Sequence, residues 1–591
     1  MSKVFLIAGG GTGAKVAESF VHLCASGHGP REVHILFVDA DTMNGNLARA
    51  YFTGQAYQGM ARFDWNIRTT VGGGLFSKGT DYATTLFSSQ VYLYRITEPI
   101  QDDGNGALSA AARADNTLGE ALDVFYDASE QKTSCSDGFR ARPNLGCLLL
   151  GQHLKRALTV GDGARFVEAL RAAGASGQDV PVVVAASLFG GMGASLLPIA
   201  RSTVNQMLRE GFAGTASTQH FRWASVMMLP HYQPAHAEDS VDPHRYNLDT
   251  SNALQFYQKT FSGSAPVAAA SGWGAADSGD GRPYDVAYLV GSDNPGRNKV
   301  RTSLGKDTQA NPAYFEEFLG ALAVREFALA PTLGNPVRHY HLPGAAEAIT
   351  WKRLPLNADE STQLALSMGY LLHLSAFFLR SGSDTRNELT QGLLALLRTT
   401  SGANMQRYEF YKHAIDKWAD NIEVYRNAPR AERPEVMRSG NGPSFVPAMR
   451  PAATEYCARL MHWAETALQG EGLALMEFGG GHYSSLYGHL SGLNSGDFGK
   501  AELEDDNALV RLMRGTVAAM LNAEANREQN GKVVGDFSVL QPALSPGLNG
   551  REVVAPRVSM SDVQMALQQE QQAGLLREYY ANRLDMAPVG G

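Results

Sequence analysis

The chain has only four cysteines among its 591 residues, Cys24, Cys135, Cys147 and Cys457. Their spacing is neither that of a disulfide framework nor that of a zinc site, so neither can be the basis of the fold. Isolated reduced cysteines usually act as small buried hydrophobic residues. We therefore expect a cytoplasmic protein.

The chain also lacks a basic excess and long hydrophobic runs. Its formal net charge is −8, which argues against nucleic acid as a main partner because binding phosphates requires a basic face. No run approaches the roughly 20 apolar residues that a membrane span needs, and the N-terminus does not resemble a signal peptide. The sequence therefore predicts neither a nucleic-acid partner nor a membrane span.

What the chain does contain is an alternation of apolar runs with helical patterns. The runs are short and nearly continuous, as in strands buried on both faces of a parallel sheet. This alternation predicts an α/β fold with a parallel sheet and with ligand sites at the carboxyl ends of the strands. Strands are predicted at 3–8, 34–38, 182–186, 223–229 and 286–290, helices at 14–25, 160–174, 195–209 and 312–329, and a loop-like segment at 53–80. The predicted domain covers residues 1–340, with a surface insertion at 101–145.

The C-terminal part has a different character. Helical patterns broken by Gly-, Pro- and Ser-rich loops predict a mostly helical domain over residues 341–591. The predicted helices are at 362–380, 402–424, 452–468, 506–528 and 560–584. This domain is a candidate for assembly and for binding partner proteins, but its local sequence indicates no chemistry.

Glycine-rich turns follow two of the predicted strands. Glycine allows the backbone to approach an anion closely, and the helix that follows offers unpaired N–H groups. The first turn, residues 9–13, also fits a dinucleotide fingerprint with Asp39 as the ribose ligand, and alone it could be a plain tight turn. The second turn, residues 190–195, favours a ligand gripped from two sides. The lysine-bearing phosphate loop of ordinary NTPases is absent.

The segment 187–195, Ser-Leu-Phe-Gly-Gly-Met-Gly-Ala-Ser, resembles the G-G-G-T-G-[ST]-G signature of the tubulin/FtsZ superfamily, specifically its divergent bacterial branch. Met192 replaces the signature threonine, and a thioether cannot donate the hydrogen bond of a hydroxyl. Further similarities follow in order over residues 3–330, although Phe318 stands where the family has an asparagine. The resemblance implies a tubulin/FtsZ-type GTPase domain.

The resemblance also implies which residues hold the nucleotide. Asp41 would lie near Mg²⁺, Asn294 would read guanine, and Tyr314 would stack on the base. The residues that it implies for GTP or GDP are Gly10, Gly11, Thr12, Gly13, Asp39, Asp41, Gly73, Gly74, Gly190, Gly191, Met192, Gly193, Ala194, Ser195, Asn294 and Tyr314.

In this family, an acidic loop after the central helix completes the active site of the next subunit. Asn357 and Asp359 resemble the core of that loop, and Asp359 could orient the attacking water. The same residues also fit an ordinary helix N-cap followed by acidic first-turn residues. Both interpretations stay open from sequence.

The sequence therefore predicts a bacterial GTP-binding protein that self-associates into nucleotide-dependent filaments or oligomers and hydrolyses GTP at a subunit interface. The resemblance extends to components of bacterial defence systems. One alternative is an NAD(P)-dependent oxidoreductase, but a dinucleotide fold has no function for the second glycine turn. The other is a non-catalytic nucleotide-binding scaffold, which Met192 favours.

Overall fold

The structure is a computed structural model of the chain. It describes residues 2–62, 66–69, 82–100, 126–127, 138–139, 143–211, 220–234, 243–261, 283–292, 299–300, 309–330, 336–342 and 354–357, with short pieces between 360 and 468 and at 527–529 and 532–534.

A seven-stranded parallel sheet forms the centre of the N-terminal region. In the described residues the strands are β1 (Lys3–Gly9), β2 (Glu32–Val38), β3 (Asn66–Thr69), β4 (Tyr82–Thr85), β5 (Gln90–Arg95), β6 (Val180–Ser187), β7 (Phe221–Met228), β8 (Gln233–Pro234), β9 (Val286–Ser292), β10 (Lys299–Val300), β11 (Val337–Leu342), β12 (Arg527–Gln529) and β13 (Lys532–Val534). The sheet has the order β11-β9-β7-β6-β1-β2-β5, and all six pairings in it are parallel. The predicted α/β class with a parallel sheet is confirmed.

Helices connect these strands. They are α1 (Gly10–Ala25), α2 (Gly45–Met60), α3 (Pro143–Ala157), α4 (Gly161–Gly174), α5 (Gly191–Leu196), α6 (Ala200–Gly211), α7 (Pro243–Phe261) and α8 (Phe315–Leu329). All eight residues of β6 are buried, and α8 is buried along nearly its whole length. Because β6 is enclosed on both faces, its sequence is a continuous apolar run rather than an alternating pattern.

The described elements correct one local prediction. Within the predicted loop at 53–80, residues 53–60 are the last part of α2 and residues 66–69 form β3. The helix passes close to β5 at Gly54, where an added Cβ would lie 2.7 Å from a methyl group of Leu93. Tertiary packing therefore explains a glycine that a local pattern would treat as a helix breaker.

The chain divides into two compact units. The first comprises Met1–Leu23, Gly29–Gln55 and Ser89–Glu347, and it contains the parallel sheet. The second comprises Cys24–His28, Ala56–Ser88 and Ala348–Gly591. The predicted boundary at 340/341 stays a prediction.

In the second unit, the ring of Tyr456 packs edge to face against the rings of Tyr57 and Phe87. The centroids of Phe87 and Tyr456 are 5.1 Å apart with planes at 78°. Most of the predicted helical domain lies outside the described residues, so that domain stays a prediction. No helix in the described part of the chain is both long enough and apolar enough to span a bilayer.

Candidate functional site

The sheet order determines where a ligand can bind. From β1 the chain moves to β2 and β5 on one side, then crosses to β6, β7, β9 and β11 on the other. The direction of winding therefore reverses between β1 and β6. In open α/β sheets, ligands bind in the crevice outside the carboxyl ends of the strands at such a switch point. Both glycine turns lie at this crevice.

The first turn, residues 9–13, joins β1 directly to α1. Gly10 has φ = +68°, a left-handed conformation that favours glycine. At Gly13 an added Cβ would lie 2.3 Å from the carbonyl oxygen of Ala185, so the start of α1 packs tightly on the sheet. The first N–H groups of a helix have no partner within it. Such groups are the typical donors of anion sites at helix N-termini, and buried Thr12 lies within this turn.

The second turn, residues 190–195, joins β6 to α5 and contacts the first turn. An added Cβ on Gly10 would lie 3.2 Å from Cβ of Met192. Polar groups of the second turn already have hydrogen-bond partners in the protein. The Gly190 N–H donates to Oγ of Ser187 at 3.2 Å. The hydroxyl of Ser195 is buried and donates to the Gly191 carbonyl at 2.5 Å. Gly193 packs against the backbone of Ser187, while Ala194 is half-buried.

A third loop, residues 39–46, follows β2. Oδ1 of Asp39 accepts from the Asp41 N–H at 3.1 Å, and its Oδ2 accepts from Nδ2 of Asn44 at 2.9 Å. Burial raises the pKa of Asp39 to about 7. Oδ1 of Asp41 accepts from the Met43 N–H at 3.0 Å. Both carboxyl groups are therefore buried and hydrogen-bonded within the loop.

Asp41 was the predicted Mg²⁺ ligand. The described residues contain no group of three or more His, Cys, Asp or Glu side chains that could hold a metal. Mg²⁺ at nucleotide sites uses only one or two carboxylates together with substrate phosphates and water. A single carboxylate such as Asp41, on the loop beside the first turn, fits that requirement.

A buried charge cluster lies between α1, α8 and the segment after β7. Nζ of Lys15 is 2.5 Å from Oε1 of Glu317, which is also 2.9 Å from Nε2 of His231. Nζ of Lys15 lies 5.4 Å from the ring centroids of both Tyr232 and Tyr314. Burial raises the pKa of Glu317, but Lys15 and His231 outweigh burial and lower it to about 2.

The cluster connects the predicted base-stacking residue to the first turn. Tyr314 is half-buried, and its N–H donates to Oε2 of Glu317 at 2.8 Å. Phe318 is fully buried against Phe315, so its ring belongs to the core. Sequence reasoning missed Lys15 and Glu317. The available signal was a lysine within the otherwise apolar start of α1.

Several predicted site residues lie outside the described residues: Gly73, Gly74, Asn294 and Asp359. Their roles stay predictions. Asn357 is described, and its Oδ1 accepts from the Glu360 N–H at 2.8 Å. The Asn357 N–H donates to Oε2 of Glu360 at 3.4 Å. This reciprocal arrangement is a capping box, the geometry of the N-cap interpretation.

Comparison with known proteins adds no assignment. No protein-family model matches the chain, and no curated protein matches it. The features of the molecule that indicate a function are therefore the two turns, the loop after β2 and the charge cluster.

Proposed function

We propose that the chain binds a guanine nucleotide, GTP or GDP, with its phosphates at the first turn. The main support for this proposal is that two glycine turns contact each other at the carboxyl ends of the neighbouring parallel strands β1 and β6. The amino end of a long helix at a switch point favours phosphate through its free N–H groups and its dipole. The second turn bounds the crevice on the other side.

The charge cluster supports guanine as the base. A base stacked on Tyr314 would lie near the ammonium of Lys15, which has donors and no acceptor. Guanine presents two acceptors, O6 and N7, along one edge, whereas adenine places an amino group there. The resemblance to the tubulin/FtsZ signature at 187–195 supports the same choice.

The sheet order also occurs in dinucleotide-binding folds, but the loop after β2 argues against that alternative. A dinucleotide site needs the acidic residue after β2 to accept hydrogen bonds from a ribose. Both oxygens of Asp39 already accept hydrogen bonds, one from the Asp41 N–H and one from Nδ2 of Asn44. Asp39 thus stabilises the loop instead of facing a ribose.

Hydrolysis and assembly extend the proposal. We propose that GTP is hydrolysed where subunits meet in a filament or oligomer, with Asp359 orienting the attacking water, Mg²⁺ on Asp41, and the C-terminal part serving assembly or partner proteins. A place in bacterial defence belongs to the same resemblance. The buried, apolar Met192 favours the alternative of a scaffold that binds nucleotide without turnover.

The first experiment measures binding of GTP, GDP, ATP and NAD to the purified chain by titration calorimetry. We expect GTP and GDP to bind more tightly than ATP or NAD. Gly10→Ala should weaken binding, since φ = +68° is strained for alanine and its methyl group meets Met192. Gly177→Ala is the matched control, because Gly177 has the same φ in open space. Tighter binding of NAD would overturn the guanine proposal.

A second experiment addresses turnover. Phosphate release from GTP is measured across protein concentrations together with light scattering. Turnover per subunit that rises with concentration supports a site completed between subunits, and Asp359→Ala should then abolish it. Binding without release at any concentration supports the scaffold alternative.

A further inference from the structure

Asn46 lies in the first turn of α2 and packs directly against Gly11. Its side chain is 4% exposed. An added Cβ on Gly11 would lie 3.0 Å from Nδ2 of Asn46, so this amide occupies the space beside the first turn. No motif in the sequence singles out Asn46.

Arg49 and Glu18 fix the orientation of the Asn46 amide. Oδ1 of Asn46 accepts from Nη1 of Arg49 at 3.4 Å. Nε of Arg49 in turn donates to both carboxylate oxygens of Glu18, at 3.1 and 3.0 Å, and both side chains are buried. A guanidinium has only donors, so the atom that faces it must be the oxygen. The amide NH₂ of Asn46 therefore faces Gly11.

This NH₂ group differs from the neighbouring amide in the same loop. Nδ2 of Asn44 donates to Asp39 at 2.9 Å and to Gln309 at 2.8 Å, which uses both of its hydrogens. Among the residues that the structure describes, Nδ2 of Asn46 has no acceptor. Leaving a nearly buried donor without an acceptor is unfavourable. A ligand atom at the first turn would satisfy it.

We propose that the side-chain amide of Asn46 donates a hydrogen bond to a phosphate oxygen of the nucleotide bound at the first turn. This inference rests on the proposed nucleotide site. Glu18 and Arg49 act as positioning residues, because they hold the amide with its donor toward the turn. The start of α2 adds a second helix dipole that favours an anion at the same place.

The test uses the full chain with Asn46→Ala and Asn46→Asp. Asn46→Ala removes the donor, and a hydrogen bond to a charged group predicts a loss of about tenfold or more in GDP affinity. Asn46→Asp keeps an oxygen for Arg49 but places a negative charge beside the phosphate, so its loss should be larger. Guanosine, which lacks phosphate, should bind both variants as it binds the wild type. Asn252→Asp makes the same change at an exposed position of α7 and should bind GDP normally.

The first three of four outcomes separate this inference from the proposed function. If the wild type and both variants bind GDP equally, Asn46 has no role at the phosphate, while nucleotide binding stands. If GDP and guanosine affinities fall together, the role of Asn46 is structural and the inference fails. If the wild type binds pyrophosphate but no guanine nucleotide, guanine is wrong, and pyrophosphate titrations of both variants decide on Asn46. If the wild type binds neither, both proposals are overturned.

Discussion

The two glycine turns have similar compositions and meet at one crevice, yet they are built differently. The first turn begins the 16-residue helix α1, and the Asn46 amide faces it. The second begins the six-residue helix α5, and its Gly190 N–H and Ser195 hydroxyl bond within the turn or to β6. Glycines pack closely in both turns, but the first turn begins the longer helix and has an amide donor beside it. The first turn is the better candidate for binding phosphate.

The largest expected effect on stability comes from removing the charge of Glu317, which pairs with Lys15 at the start of α1. Glu317→Gln leaves Lys15 and His231 buried without their carboxylate. Removing one partner of a buried pair typically costs about 3–5 kcal/mol, so we expect a loss of that size in the free energy of unfolding by denaturant titration.

Glu326→Gln is the control for Glu317→Gln. It breaks a pair with Arg338 that is partly exposed, which is worth about 1 kcal/mol or less. Equal effects of the two substitutions would show that the buried cluster does not anchor α1.

Acid should lower the stability that the buried Glu317 carboxylate provides. The pKa of Glu317 is held near 2, below its ordinary value of 4.5. Between these values the unfolded chain binds more protons than the folded one, so stability falls as the pH falls from about 4.5 to about 2. The shift corresponds to about 3 kcal/mol. Unfolding titrations at pH 5 and pH 3 should show a smaller difference in Glu317→Gln than in the wild type, and an unchanged difference would refute the anchor.

The central strands could be predicted from sequence because burial on both faces makes them continuous apolar runs. The outer strands β5 and β11 could not be predicted in the same way. In Gln90–Arg95 only Val91 and Tyr94 are buried, and in Val337–Leu342 histidines and an arginine interrupt the apolar residues. Edge strands with polar residues resemble connecting segments until their neighbours are known.

The glycine turns were visible in sequence because a turn between strand and helix is a local feature. The polar partners of the first turn were not. Lys15 and Glu317 are distant in the chain and meet only when α8 packs near α1. Asn46 acquires its orientation from Glu18, which lies on another helix. Charged and amide side chains that meet only through tertiary contacts have no fixed spacing in the sequence, so no local motif predicts them.

Gly193→Ala tests close packing in the second turn. Its Cβ would lie 2.6 Å from the Ser187 nitrogen and 2.7 Å from the Ser187 oxygen, where only backbone movement could relieve the overlap. Overpacking of this kind costs about 2–3 kcal/mol, which denaturant unfolding should show.

Gly11→Ala is the counterpart in the first turn. The nearest atom to its Cβ is the side-chain Nδ2 of Asn46, at 3.0 Å. We therefore expect a stability change below about 1 kcal/mol but weaker GDP binding, because the amide must move. If Gly11→Ala were the more destabilising of the two, the contrast between the turns would be wrong.

Ser195→Ala should lower stability slightly and leave GDP binding unchanged. The resemblance places Ser195 among the nucleotide ligands, but its buried hydroxyl donates to Gly191 and lies 3.2 Å from the Pro143 carbonyl oxygen. Loss of such a hydrogen bond costs about 1 kcal/mol, while GDP affinity should stay at the wild-type value. Calorimetric GDP titration beside thermal unfolding separates the two quantities. A fall in affinity without a fall in stability would instead make the second turn a direct phosphate ligand, since only contact with the nucleotide lowers binding while leaving the fold intact.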